Sequence, residues 1–271
     1  MANPTRKPSL SIFFPCYNDG KSIGKLVENA IETASLLTHD FEVIVVDDGS
    51  KDNSPEILKK LALKYPHFKP VFHTHNQGYG GALRTGFKTA TKDLIFYTDG
   101  DGQYDVKELP ILFTLMTDDV NFVNGIKMAR QDATYRILIG NLYSFVTRWM
   151  FWLPTYDVDC DFRLIRRSLL SKVNLRSNSG SICVELVKKA QKAGAKYRQV
   201  SVHHYERRFG HSQFFHPSRL LSTFKELTLL WIELILMRKV NKLTSTLLRK
   251  KQYNGTCRKS PAPKKSLDLR S

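Results

Sequence analysis

The chain has 271 residues, 42 Lys and Arg against 25 Asp and Glu, and a formal net charge of +17, with 42% hydrophobic residues. That length suits one large α/β domain or two small ones with a sizeable core, and the charge implies an anionic partner: nucleic acid, an acidic membrane surface or a phosphorylated substrate. The four cysteines, Cys16, Cys160, Cys183 and Cys257, are scattered without a CxxC spacing, which excludes a zinc site built on cysteines and suggests a reducing compartment.

The first hundred residues alternate strand and helix. A predicted strand over 10–14 ends in Pro15-Cys16-Tyr17-Asn18-Asp19, and a helix runs from the N-cap Ser22 to about Leu37. A β-branched strand over 41–46 leads into Asp47-Asp48-Gly49-Ser50, and the next helix opens at Ser54-Pro55-Glu56 with proline in its first turn. A short strand around Val71 precedes Asn76-Gln77-Gly78-Tyr79-Gly80-Gly81 and a helix to Ala90. The strand over 94–98 then runs straight into Asp99-Gly100-Asp101-Gly102-Gln103. A helix over about 106–116 and a strand near 121–123 complete a pattern of βαβ units and a parallel sheet.

After Gly125 the pattern changes. Residues 134–153 are predicted helical, with Leu138, Leu142, Phe145, Trp149 and Trp152 on one stripe. Asp157-Val158-Asp159-Cys160-Asp161-Phe162-Arg163 follows, then a helix over about 181–193, a strand over 197–202 and a loop over 203–216 rich in His, Arg and aromatics. Residues 219–237 are amphipathic, and from about Leu248 the chain is a basic tail expected to be disordered. The polar N-terminus argues against a secretory signal. No stretch reaches about 18 uninterrupted apolar residues, so the protein is expected not to be integral to a membrane.

If the three early strands are parallel, their polar endings share one rim, where open α/β sheets bind ligands. Asp99, Asp101 and Gln103, at alternate positions, suit a hard octahedral cation, Mg2+ or Mn2+, with positions left for phosphate oxygens and water; the bland alternative is a glycine-rich turn with solvated acids. Asp47 and Asp48 suit ribose hydroxyls or a base edge, or merely a turn. Gly78, Gly80 and Gly81 serve either a phosphate loop or close helix packing, and Arg84, one turn on, is placed to reach a phosphate. His203, His204, His211 and His216 lack a metal-site spacing and read as loop residues over the donor site.

In order and spacing these motifs resemble family 2 inverting glycosyltransferases of the GT-A fold, most of all dolichol-phosphate mannose synthases and bacterial polyprenyl-phosphate sugar transferases, over about residues 9–215. The resemblance implies a Rossmann-like, mostly parallel sheet flanked by helices. A catalytic domain over 1–215 would be followed by an amphipathic helix over 216–247 and the basic tail over 248–271. Pro15 to Asp19 resembles P-x-Y-N-E, with Asp19 where Glu is usual. The resemblance assigns Pro15, Tyr17, Asp19, Asp47, Asp48, Gly78, Arg84 and Asp99 to the nucleotide, and Asp99, Asp101 and Gln103 to the metal on its diphosphate. Asp161-Phe162-Arg163 resembles S-F-R, with Asp in place of Ser, and Arg207 to Ser212 resembles R-x-x-G-x-S, whose first Arg contacts phosphate.

The implied catalytic set is Asp101, Arg163, Arg207 and Asp161. Breaking a sugar–diphosphate bond builds negative charge on the leaving nucleotide, which a cation and Arg207 would stabilise. A lipid phosphate acceptor is already ionised and needs no base, and Arg163 with Arg130 or Arg136 would bind it. A hydroxyl acceptor needs a base, Asp161 or Asp159; Asp161 equally suits a salt bridge to Arg163.

The expected partners are a nucleotide sugar, a polyprenyl-phosphate lipid and an anionic membrane surface, with the protein peripheral on the cytoplasmic face. Trp149, Trp152 and Trp231 suit interfacial anchors or, alternatively, core or dimer contacts. Lys250, Lys251, Arg258, Lys259, Lys264 and Lys265 would each add about 1 kcal/mol of attraction to anionic lipid. Nucleic-acid binding is disfavoured, since no RNP-like, helix-turn-helix or zinc-finger pattern occurs, and an inactive scaffold is disfavoured by the intact acid cluster. The sequence leaves the donor open among GDP-mannose, UDP-glucose and UDP-GlcNAc, and oligomeric state is not legible.

Overall fold

Two fully buried strands, β1 (Leu10–Cys16) and β2 (Phe41–Asp47), lie inside the sheet, as continuous apolar runs do when helices cover both faces. In the computed structural model, residues 7–128, 134–207 and 217–237 are described. The other strands are β3 (Phe68–Phe72), β4 (Leu94–Thr98), β5 (Phe122–Met128), β6 (Phe162–Arg166) and β7 (Tyr197–His203), in the order β3-β2-β1-β4-β6-β5-β7. The pairs β1–β2, β1–β4, β2–β3 and β5–β7 are parallel, while β6 is antiparallel to both its neighbours. At one edge, β3 carries Pro70 and Lys69, residues suited to an unpaired rim.

The helices are α1 (Ile23–Leu37), α2 (Ser54–Lys64), α3 (Tyr79–Thr89), α4 (Leu109–Leu115), α5 (Thr134–Phe151), α6 (Arg167–Leu170), α7 (Ser181–Lys192) and α8 (Pro217–Trp231). On one face, Leu10, Ile12 and Phe14 share a core with Ile23, Val27, Leu58 and Leu109 from α1, α2 and α4. Phe13 points the other way, edge-on to Phe87 of α3 with centroids 5.0 Å apart and stacked on Tyr97 at 5.4 Å. The chain divides into two units, Met1–Leu227 and Thr228–Ser271. Within the described residues of the second, a π turn spans Ile232–Leu236. No helix among the described residues is long and apolar enough to cross a membrane.

The expected alternation and α/β class are present, with three differences. Strand β6 was not foreseen: its five residues follow an acidic run, and its pairing is with strands distant in sequence. The helix expected over 106–116 is a 3₁₀ turn, Val106–Glu108, followed by α4, whose first turn carries Pro110. Strand β5 runs on to Met128, past the end expected near 123.

The N-terminal ends of the central strands are stitched together by side chains. Ser9 and Asp93 bond each other through backbone and side chain. Glu42 Oε1, buried, accepts from Ser11 Oγ at 2.8 Å, Thr91 N at 2.7 Å and Thr91 Oγ1 at 2.8 Å. Replacing Glu42 by Ala strands these donors, so urea unfolding should show a loss of roughly 2–4 kcal/mol, and Glu42→Gln, which keeps an acceptor, at most about half of that.

Candidate active site

Parallel register sets Cys16 of β1 beside Asp47 of β2, so the loops after β1, β2 and β4 emerge on one rim. Those loops are tied together. Asn18, in left-handed backbone at φ 57, donates its N–H to Ser50 Oγ at 2.8 Å and accepts from Lys51 N at 2.7 Å. Gly20 N donates to Asp52 at 3.0 Å, and Ser22 Oγ reaches across to the Gly100 carbonyl at 3.1 Å.

The adjacent acids Asp47 and Asp48 have different surroundings. Asp48 accepts from Gln77 N at 2.8 Å and Gly78 N at 2.9 Å and meets His73 Nδ1 at 2.6 Å, so its carboxylate holds the β3–α3 loop. Asp47 Oδ1 is buried with no hydrogen-bond partner among the described residues, and burial pushes its carboxyl above the usual range. A buried acceptor without a donor is costly; a hydroxyl or ring N–H of a ligand is the kind of group that relieves it.

The glycine-rich loop closes on the segment before α7. At Gly78, φ is +83 and a Cβ would lie 2.5 Å from the Asn178 carbonyl oxygen; at Gly80 it would lie 2.2 Å from that of Ser177. Arg84 is engaged on the same segment, donating to the carbonyls of Arg176, at 3.0 Å, and Ser177, and to Asn178 Oδ1 at 2.6 Å.

The acid cluster follows β4. Asp99 Oδ1 accepts from the Tyr79 hydroxyl at 2.8 Å. Asp101 accepts from Gln103 N at 2.9 Å through Oδ1, and its Oδ2 pairs with Arg207. Gln103 Nε2 donates to the Tyr205 carbonyl at 3.0 Å, and Tyr205 N returns a bond to the Gln103 carbonyl at 2.8 Å. These bonds place the residues just before Arg207 against the cluster and engage the Nε2 end of the Gln103 amide. Burial, with the charges of Asp161 and Asp101 added, holds the Asp99 carboxyl well above the usual range. Asp19 is pushed up to about 6, chiefly by burial, against a bond from Tyr17 N and with Asp101 adding to the shift.

Carboxylates that raise one another in this way fit a hard divalent cation, which would relieve the repulsion. Among the described residues no three His, Cys, Asp or Glu side chains converge as a metal site, so Asp99 and Asp101 would need Gln103 and oxygens of a ligand to complete the coordination.

Beneath the rim lies a buried network. Arg163 of β6 has no exposure and stands in register with Tyr97 on one side and Asn124 on the other. Its Nε donates to Asn124 Oδ1 at 2.7 Å, Nη1 to the Tyr97 hydroxyl and Nη2 to the Val158 carbonyl at 2.5 Å. Asp161 lies 3.0 Å from Arg163 Nη1 and also accepts from Tyr97 at 3.1 Å and Cys183 Sγ at 3.2 Å. Asp159 pairs with Lys127 at 3.1 Å, and His203 meets Glu108 at 2.9 Å. Arg130, His211, His216, residues 208–212, the side chain of Arg136 and the basic tail lie outside the described residues. Tyr79, Tyr97, Asn124 and Cys183 escaped the sequence reading; Tyr79 had a signal, since it stands inside the glycine motif, and Tyr97 lies in β4 two residues before Asp99.

A model of the family described as Glycosyl transferase family 2 matches residues 11–173, a span that includes all three strand-end motifs. The chain belongs to glycosyl transferase family 2. This family member is 29% identical over 215 residues to the undecaprenyl-phosphate 4-deoxy-4-formamido-L-arabinose transferase of Yersinia enterocolitica, and 29% identical over 206 residues to that of Yersinia pestis. The alignments take in 79% and 76% of this chain but 65% and 62% of those proteins, so it spans a little under two thirds of their length. Its fold matches glucosyl-3-phosphoglycerate synthase from Mycobacterium tuberculosis. With the complex holding phosphoglyceric acid the TM-score is 0.63 at 15% identity, covering 83% of this chain and 79% of that one. With the complex holding Mn2+, UDP and glucosyl-3-phosphoglycerate it is 0.60 at 14%, with the same coverage.

The raised Asp19 carboxyl has a consequence for stability. A group whose value rises from 3.8 in the unfolded chain to about 6 in the fold costs stability as pH increases through that interval. Asp19→Asn should therefore raise Tm over the wild type above about pH 6, and the gain should vanish below about pH 4.

Proposed function

We propose that the protein is an inverting hexosyltransferase that moves a sugar from a nucleotide donor, GDP-mannose or a UDP-sugar, to a polyprenyl phosphate at a membrane surface. The observation that carries this reading is the pair Asp99–Asp101 on the ligand-binding rim, with Arg207 brought onto Asp101 from the loop after β7. Mg2+ or Mn2+, held by Asp99, Asp101 and Gln103, would neutralise charge on the departing nucleoside diphosphate. A solved protein of the same fold is described with Mn2+ and UDP bound, which is consistent with that assignment. Arg207, free to exchange its carboxylate for a phosphate, would share the charge, an arginine fork being suited to either anion. Asp47 Oδ1 and the loop over 17–19 would receive the nucleoside.

The surroundings of Asp161 support a phosphate acceptor. The oxygens of this acid are engaged by Arg163, Tyr97 and Cys183 in a buried setting, which disfavours it as the base for a hydroxyl. This favours an acceptor that arrives ionised, as a phosphate does. The Yersinia relatives are named for transfer to undecaprenyl phosphate, which supports a lipid phosphate. Arg163, wholly inside the protein, would serve by fixing Asp161 and the β4–β6–β5 floor; the phosphate itself would need other cations.

Helix α5 supports the membrane. Leu138, Leu142, Phe145 and Trp149 are 70%, 60%, 60% and 67% exposed, so the stripe is not core; Trp152, expected on the same stripe, lies past the helix end in left-handed backbone at φ 50. An exposed apolar face carrying Trp149, with Trp152 exposed just past the helix end, suits the headgroup boundary of a bilayer. The buried free thiols Cys16, Cys160 and Cys183 accord with the cytoplasmic side.

Isothermal titration of UDP and GDP, with and without Mn2+, tests the donor site. One nucleotide should bind at least tenfold more tightly with the metal, and Asp101→Asn should lose most of that gain. Failure of both nucleotides to bind under any metal condition would overturn the reading.

A further inference from the structure

The glycine-rich loop after β3 is built to hold one side chain. Gly78 N–H is fixed by Asp48 Oδ2 at 2.9 Å, and Gly80 N–H by the Asn178 carbonyl at 2.9 Å. Both glycines lie too close to the segment over 177–178 to carry a side chain. Tyr79 is clamped between them, and its hydroxyl donates to Asp99 Oδ1 at 2.8 Å. The backbone on either side of this residue is thus determined by contacts from β2 and from the α7 approach, and the phenol is delivered to one oxygen of one acid. Asp99 faces the charges of Asp161 and Asp101, and the bond from Tyr79 to Oδ1 sets its rotation.

Resting on the donor-site reading above, we propose that Tyr79 is a positioning residue for the cation: its hydroxyl occupies Asp99 Oδ1 and so presents Oδ2 to the metal on the nucleotide diphosphate. The glycines then serve the metal indirectly, by aiming Tyr79, and Asp48 does the same from the opposite side. A partner that orients a metal-ligating carboxylate commonly changes metal affinity by 10–100-fold when removed.

The test is Mn2+ binding followed by electron paramagnetic resonance at saturating UDP or GDP, whichever the wild type retains, together with Tm. Tyr79→Phe keeps the ring and removes only the hydroxyl. It should weaken Mn2+ at least tenfold while Tm stays at the wild-type value. Unchanged Mn2+ affinity would overturn the assignment. So would a loss of affinity accompanied by a fall in Tm, since the hydroxyl would then be supporting the fold and not the cation. If the wild type itself holds no Mn2+ beside a bound nucleotide, the donor-site reading fails first, and the behaviour of Tyr79→Phe is not what sinks it.

Discussion

Like charge held in a small volume is the constraint on which this structure depends. Asp19 follows β1, Asp99 and Asp101 follow β4, and Asp161 lies just before β6, yet burial and mutual repulsion act on the same cluster. Each acid is assigned a separate donor: Tyr17 N–H, the Tyr79 hydroxyl, Arg207 and Arg163. Tyr17 and Arg163 lie two residues from their acids, but Tyr79 and Arg207 come from distant parts of the chain, so Asp99 and Asp101 are partnered only by the tertiary structure that brings those donors in. A surface turn would let the acids separate into solvent; here the sheet forbids it.

The two ends of the sheet answer different needs. At the N-terminal ends, Glu42 and the Ser9–Asp93 pair are satisfied within the protein. At the C-terminal ends, Asp47 Oδ1 has no partner among the described residues, and the acids of the cluster oppose one another. The antiparallel insertion of β6 connects this rim to the floor, because Arg163 bonds the side chains that register with it on both neighbouring strands, Tyr97 and Asn124. A buried ion pair of this kind contributes little net stability once desolvation is counted. Its value is geometric, since removing either member would leave a charge without a partner inside the protein.

Much of this was legible in the sequence for simple reasons. Continuous apolar runs ending in acids announce buried parallel strands and a shared rim, and both β1 and β2 are buried throughout. What escaped depended on contacts distant in sequence. Strand β6 is short, carries two arginines and has partners far away in the chain. The occupation of Asp48 by loop N–H groups, and of Arg84 by the carbonyls over 176–177, could not be read from motifs, because both side chains suit a phosphate or nucleoside site equally well on chemistry alone. The stripe on α5 was ambiguous for the opposite reason: periodicity identifies an apolar face but not what it meets, and only the exposure of Trp149 and its neighbours decides against a core.

The most direct measurement is transfer itself. The full chain would be incubated with vesicles containing polyprenyl phosphate and with radiolabelled GDP-mannose, UDP-glucose or UDP-GlcNAc in the presence of Mn2+. The account predicts that label from one donor enters the organic phase as an acid-labile lipid-linked sugar, and that Asp101→Asn abolishes this. Label that passes only to water or to a saccharide hydroxyl, with the lipid phosphate left unmodified, would contradict it.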